Sequence, residues 1–475
     1  MKKITYISIA LLSFLTLYSC ESWLDVAPRA EIKEDSQFSN EQGFKDALYG
    51  VYTKATATAM YGDHLTMGFL SALTSSYSNH GSSTAKFYYA GRYDYANSTV
   101  KSWINAIWNE TYSTIAQINL ILKNVDKNQG VMSEQTYKMV KGEMLGLRAW
   151  LHFDLFRLYA PAYTSGTDLT TLSIPYMDEY TIVAKEPLPM NTFIDRVLKD
   201  LSEAKPLLAS YNTIDLLNSY LNASVSSGAV GDNFVLYRQN RFNYYAARGL
   251  EARIYLYTGK KTEAAQAAQE VIGSQKFHFI TATEANVTGT GRDYVFTPEL
   301  IFALYDSNLK NRSDNYFSEL TSTTATNKLQ LTTARIGTLY EITLGGSSDT
   351  RYVKQWAASG ANTYCTKYWQ LETTSMALRN QIPLLKLSEM YLILAEATND
   401  PAPLNTFREA RALNPNITTT TLDAEIEKEY QKDFFAEGQT FFYYKRMGTV
   451  RVPNSSVNAV YVLPIPDEEV TYGKL

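Results

Sequence analysis

The chain has 475 residues, 45 % of them hydrophobic and 19 % charged, with 44 Lys and Arg against 48 Asp and Glu. That balance describes a folded protein with a sizeable core and argues against a nucleic-acid partner, which would need a concentrated basic surface. Length alone would suggest two or three domains. Aromatic use is unusual: 36 Tyr stand against 20 Phe and 6 Trp, and each Tyr offers a flat apolar face with a polar edge suited to a sugar, a peptide or a core.

In chain order, Lys2 and Lys3 precede an apolar run from Ile4 to Tyr18. Its length of about 15 residues is that of a signal-peptide core. A spanning helix needs about 20. The run ends in Leu17, Tyr18, Ser19 and Cys20 rather than at a small-x-small cleavage site. This resembles a bacterial lipobox; a plain secretory signal is the alternative. Residues 1–19 then form a lipoprotein signal peptide, Cys20 is the lipid attachment point, and the chain is anchored to a membrane without spanning it. Cys365 is left alone and reads as a small buried hydrophobe.

Gln42 to Lys54 puts Phe44, Leu48, Val51 and Tyr52 at helical spacing. Residues 55–100 lose that period in Gly, Ser, Thr, Asn and Tyr, which predicts a long exposed stretch. Ile104, Ile107, Trp108, Ile115, Ile118 and Leu122 mark the next helix. Ser133 is the expected N-cap of another, carried by Val140, Met144, Leu147, Leu151, Leu155 and Leu158 and stopped by Pro161. Further helical runs are predicted at Asn191–Leu208, Phe242–Tyr257 with Thr262–Ile272, Leu387–Ala397 with Leu404–Ala412, and Asp423–Glu437. Pairs of this size look like tetratricopeptide units, though unevenly spaced. Residues 274–381 read as mostly irregular, with one short strand in TPELIFALYDSN. The fold class expected is mainly α: tetratricopeptide-like helix pairs forming a scaffold (about 40–273 and 382–447), with a loop-rich subdomain carrying a few short strands. Residues 20–475 are expected to form one domain, with insertions at about 55–100 and 274–381 on the ligand side.

Several stretches, in order, resemble the SusD/RagB family of Bacteroidetes outer-membrane lipoproteins. They are Cys20, Trp23, Leu24, Asp25 and Pro28 at the mature start; GEMLGLRAWLHFDLFRLYAP with Arg148 and Ala149; IPLLKLSEMYLILAEA followed by LNTFREARA; and KDFFAEGQTFFYYKRMG. LPIPDEEV is similar to that family's final strand. Glu389, Glu396, Arg408, Glu437 and Arg446 are expected to staple helices together rather than touch ligand. The resemblance implies a surface lipoprotein of the outer membrane that captures glycan, or in some members peptide, for a SusC-like TonB-dependent transporter. Its two loop regions would carry the ligand contacts, here Tyr77, Asn79, Tyr88, Tyr89, Tyr93, Asn315, Tyr316 and Arg335.

No catalytic constellation accompanies these features. His64, His80, His152 and His278 are scattered, without H-E-x-x-H or C-x-x-C spacing for a metal. Gly289-Thr290-Gly291 lacks the rest of a phosphate-binding loop, and Asp467 with Glu468 reads as a solvated turn rather than a glycosidase pair. The expectation is a binder with no catalytic residue, no cofactor and no metal.

Overall fold

The computed structural model describes residues 33–78, 82–163, 166–210, 233–317, 327–369 and 378–474. The signal peptide, Cys20 and the segment Trp23–Pro28 fall outside them, as do Asn79 and His80. Helix α1 (Glu41–Ala55) starts where Asn40 Oδ1 accepts from the Gly43 amide at 3.0 Å, and it buries Phe44, Leu48 and Val51 as the spacing predicts. Helix α2 (Ser98–Lys127) is capped by Asn97, and α3 (Glu134–Tyr159) by Ser133, whose Oγ accepts from Thr136 N at 3.2 Å.

Helix α3 is the spine of the molecule. From Gly142 to Tyr159 every residue is buried, a pattern that requires neighbours on all sides. They are α1 and α2, then α4 (Met190–Ser210) and α5 (Tyr244–Tyr257). Gly146 is where Phe242 enters: a Cβ there would stand 2.1 Å from its ring. Burial on all sides also encloses charges, and each one is met. Arg148 donates to Asp200 of α4 through Nε and Nη2, both at 2.6 Å. Glu143 accepts from Arg238, Arg241 and Tyr52. His152 bridges Arg148 O at 2.9 Å and Met177 N at 3.0 Å, and burial lowers its pKa to about 3. It is thus a neutral packing residue whose Nδ1 donates and Nε2 accepts.

Helices α5 and α6 (Lys261–Gly273) form the expected pair, turning at Gly259. The region from Ala282 to Lys386 is less irregular than its composition suggests. It holds α7 (Leu309–Phe317), α8 (Thr333–Leu339) and several strands. One antiparallel pair precedes it, β1 (Leu172–Pro175) with β2 (Pro187–Pro189), and one lies within it, β3 (Leu300–Tyr305) with β7 (Gln381–Lys386). A three-stranded sheet runs β4 (Leu331–Thr332), β6 (Asn362–Cys365), β5 (Trp356–Ser359). Strand β3 is the one legible in TPELIFALYDSN; its partner is buried on both faces and gives no alternation.

After β7 come α9 (Leu387–Thr398), α10 (Pro401–Ala410), α11 (Leu422–Asp433) and α12 (Gln439–Met447). The run expected to continue to Glu437 stops at Asp433. Gly438 takes φ +76°, and a Cβ there would lie 2.1 Å from Leu65 O, so the chain turns and starts α12. Two further expectations are corrected. Residues 60–75 are buried throughout, not exposed, because lost helical period reports irregular backbone and not solvent contact. The stretch LPIPDEEV forms no strand. Pro464 and Pro466 lack amide donors, and Asp467–Tyr472 is a helix, α13, with Asp467, Glu468 and Glu469 in its first turn.

One apolar cluster runs from Phe38 to Leu463 and takes in both the helices and the loop-rich regions. The helix-stapling roles expected of Glu389, Glu396, Arg408 and Arg446 hold, while Glu437 lies in the turn before α12 and pairs with lysines outside the helices. Glu389 pairs with Arg253, Glu396 with Arg446, Arg408 with Glu425 and Glu429, and Glu437 with Lys367 and Lys386. Cys365 is buried, and burial pushes its thiol up to about 11.

Candidate functional site: a groove between the loop regions and the C-terminal helices

The two loop regions are far apart in sequence and are fastened together by side-chain hydrogen bonds to main chain. Arg335, on α8, donates to Tyr77 O at 2.8 Å and to Ser75 O, where Ser75 takes φ 51°. Ser78 N reaches Gln330 O at 2.8 Å, and Thr332 N reaches Ser78 Oγ at 3.2 Å. Burial lowers Arg335 to about 10, which leaves it a cation at neutral pH. A second fastening lies at α7. Tyr316 donates to Asp63 Oδ2 at 2.5 Å and receives from Lys86, whose ammonium sits over the Tyr316 ring at 4.7 Å. Burial, then the Asp63 charge, raises the Tyr316 hydroxyl far above its ordinary range. The other carboxylate oxygen of Asp63, Oδ1, is buried without a partner.

Beside the first fastening lies a groove of about 640 Å³, within the range of small-ligand sites. One wall is Thr74 and Ser76 with α8, including Ala334, Arg335 and Thr338. The opposite wall comes from α11 and α12 through Lys428, Gln431 and Tyr444, with Asn454 at the edge. Phe435 and Tyr444 supply buried apolar surface. The charged pair on the rim is internally satisfied: Lys428 donates to Glu341 at 2.7 Å and to Glu425 at 2.6 Å. Burial acts to raise the Glu341 carboxyl, but Lys428 and Lys432 outweigh it and hold it below its usual value. The groove therefore offers hydroxyls, amides, the edges of two largely buried aromatic rings and one guanidinium, that of Arg335, which is held by main-chain oxygens.

Of the sequence-derived site residues, Tyr77, Tyr316 and Arg335 are brought together by these fastenings, and only Arg335 lines the groove. Tyr77 and Tyr93 are 2 % and 7 % exposed, and their hydroxyls donate to Met67 O and Leu73 O. With Tyr316 at 3 %, these three shape the site from within the fold. Tyr88 and Tyr89 form a T-shaped pair at 5.0 Å, with Arg92 stacked on Tyr88 at 3.6 Å. Tyr89 and Asn315 are exposed. Asn79 lies outside the described residues. The wall from α11 and α12 was not foreseen, since those helices read as scaffold. Lys428 and Gln431, one turn apart on the polar face, were the signal that could have indicated it.

Among the described residues no group of three or more His, Cys, Asp or Glu could hold a metal, and no helix is long and apolar enough to cross a membrane. His64 is buried and lowered to about 4, His152 is structural, and His278 sits 3.0 Å from Glu284 on the surface.

Comparison with known proteins gives a consistent result. The SusD-like family profile described as "Starch-binding associating with outer membrane" matches residues 22–256. A curated relative, SusD-like protein P25 of Formosa agariphila, is 24 % identical over 310 residues. The match covers 64 % of this chain and 52 % of that protein, so the chain spans about half the relative's length. A SusD-like carbohydrate-binding protein from Bacteroides vulgatus superposes with a TM-score of 0.67 at 18 % identity, covering 92 % of this chain and 97 % of that one. A laminarin-binding SusD-like protein superposes at 0.61 and 17 % identity, covering 92 % and 98 %.

Proposed function

From the premise that the chain belongs to the SusD-like family of starch-binding, outer-membrane-associated proteins, we propose that it captures an oligo- or polysaccharide in the groove between α8 and α11–α12. It passes that ligand to a SusC-like TonB-dependent transporter without chemical change. The observation that carries this reading is the groove itself, walled by both loop regions and lined by hydroxyl, amide and aromatic groups around Arg335. Sugars present CH faces to aromatic rings and hydroxyls to such partners at the rim. The carbohydrate-binding and laminarin-binding neighbours support a glycan ligand. A RagB-like peptide carrier is the alternative. An open, charged groove would favour it, whereas here Glu341 and Glu425 on the rim are paired with Lys428, Lys432 and Arg408.

In this reading Arg335 and Gln431 are the ligand-facing polar groups of the groove. Tyr88, Tyr89 and Asn315 provide contacts on exposed loop surface, and Tyr77, Tyr93 and Tyr316 hold those loops in shape. Acylated Cys20 tethers the chain to the outer membrane, where the transporter is within reach. Titration calorimetry against a panel of polysaccharides and of peptides tests the ligand class. Binding of at least one glycan with none of the peptides is expected, and the reverse would overturn the reading. For the tether, Cys20→Ala should release folded protein from the outer membrane; a variant retained there would contradict the lipid anchor.

A further inference from the structure

Strands β1 and β2 are joined by residues 176–186, and the base of that connection is fixed to the scaffold. Asn119 of α2 donates through Nδ2 to Met177 O at 2.8 Å and to Glu179 O at 3.2 Å. From α3, Arg148 donates to Asp178 O at 2.9 Å, and His152 Nε2 accepts from Met177 N at 3.0 Å. All three of these polar side chains are buried, so residues 177–179 are held in one place. Beyond that base the tip Tyr180-Thr181-Ile182-Val183-Ala184 carries no charge. Ile182 is fully exposed, Val183 is 64 % exposed and Tyr180 49 %. Single exposed aliphatic residues are ordinary on a surface. Two in succession beside an exposed ring, raised on a pinned base, form a projecting apolar point.

The tip is suited to leaving water. Val183 N donates to Thr181 Oγ1 at 3.0 Å, which lowers the cost of dehydrating that amide. The charges flanking the tip are paired among themselves: Lys185 with Asp178 and Glu179, and Arg196 with Asp178. Two observations choose a lipid surface as the occupant. Where the described chain begins, Glu34 accepts from Asn124 at 2.8 Å and pairs with Lys123 at 3.0 Å, and the Lys123 ammonium stands 5.6 Å from the centre of the Tyr180 ring. The chain therefore enters the fold beside the tip, and Cys20 lies 13 residues before Lys33, at most about 45 Å along the chain. The second observation is area. Three side chains on a projecting point fall well short of the roughly 800 Å² that each partner buries in a stable protein interface. The interfacial layer of a bilayer, in contrast, takes up single aliphatic and tyrosine side chains. Contact must stay shallow, because loop backbone cannot enter the hydrocarbon.

We infer that this tip is a lipid-contact site, in which Ile182, Val183 and the Tyr180 ring rest in the interfacial layer of the bilayer that holds Cys20. The inference rests on the lipid-anchor reading of Cys20 and adds a second point of membrane contact to it. The acylated full-length chain on vesicles of phosphatidylethanolamine and phosphatidylglycerol tests it. Ile182→Cys labelled with bimane places a probe at the tip; Cys365 is buried, and Lys260→Cys on the exposed turn before α6 is the control. Emission from position 182 should shift to the blue and be quenched several-fold more by brominated acyl chains than emission from position 260. Equal quenching at both positions in a chain that floats with the vesicles overturns the contact and leaves the anchor standing. A chain that does not float removes anchor and contact together. Shielding of position 182 that requires an added SusC-like transporter would assign the tip to a protein partner and also overturn the contact. Hydrogen exchange of the unlabelled chain gives a second reading. Amides of residues 180–184 should slow several-fold on vesicles, and Ile182→Asp should abolish that slowing while retaining the melting temperature, since the side chain it replaces is fully exposed. Slowing that persists in Ile182→Asp would contradict the assignment.

Discussion

The helical scaffold and the loop segment 60–75 are both deeply buried, yet they are held by different means. In the scaffold, apolar stripes pack helix on helix, and the charges they enclose are met by side chains on neighbouring helices, as Arg148 is by Asp200. In the loop regions the backbone makes fewer regular hydrogen bonds, and long side chains supply the missing partners. Tyr77 caps Met67 O, Tyr93 caps Leu73 O, Tyr95 caps Val460 O, and Arg335 takes Ser75 O and Tyr77 O. A buried carbonyl without a strand or helix must find a donor. Tyrosine supplies one at the far end of a packed ring. Part of the tyrosine content is thereby explained as support for irregular backbone.

The sharpest way to break this comparison is to remove one charge from the scaffold. Asp200→Ala leaves the buried Arg148 guanidinium without its carboxylate and should cost about 3–5 kcal/mol in urea denaturation. Acid comes next. His152 and His64 are neutral in the fold, their pKa values lowered by burial to about 3 and about 4 from 6.5. Below pH 6.5 the unfolded chain takes protons the fold refuses, so stability is complete above pH 6.5 and falls as pH drops toward those values. Each group adds at most about 1.4 kcal/mol per pH unit. His152→Gln should flatten that slope down to about pH 3, and His64→Gln only down to about pH 4. Equal pH dependence in wild type and both variants would refute the assignment.

Tyr77→Phe acts on the loop side. It leaves the ring packing in place and orphans Met67 O, for a loss of about 1–3 kcal/mol. Hydrogen exchange should quicken around residues 64–78 and stay unchanged in α3. The smallest expected effect on stability is that of Gln431→Ala on the groove wall, within about 0.5 kcal/mol. Glycan affinity should nevertheless fall several-fold in that variant by calorimetry.

The helices were legible because apolar spacing and caps act locally. Ser133 and the stop before Pro161 both stand where the residues indicated. Less was legible where distant segments decide the outcome. Strand β7 is buried on both faces and shows no alternation. The last long helix ends at Asp433, and the turn that follows passes so close to Leu65 O at Gly438 that no Cβ fits there. The groove had the same limit. Arg335 was indicated by its place in a loop region, while Lys428, Gln431 and Tyr444 reach the site through packing of α11 and α12 that no local pattern encodes. Buried tyrosines such as Tyr77 and Tyr316 carry the same residue type as exposed Tyr89, and composition cannot separate a ring that supports a loop from one that meets solvent.

In the proposed function, ligand enters the groove between α8 and α11–α12. Ala334 is exposed on its wall, so Ala334→Trp fills the groove without entering the core. Calorimetry of wild type and this variant against a glycan that the wild type binds tests the claim most directly. Binding should be lost while the melting temperature is retained; unchanged affinity in the filled variant would place the ligand elsewhere.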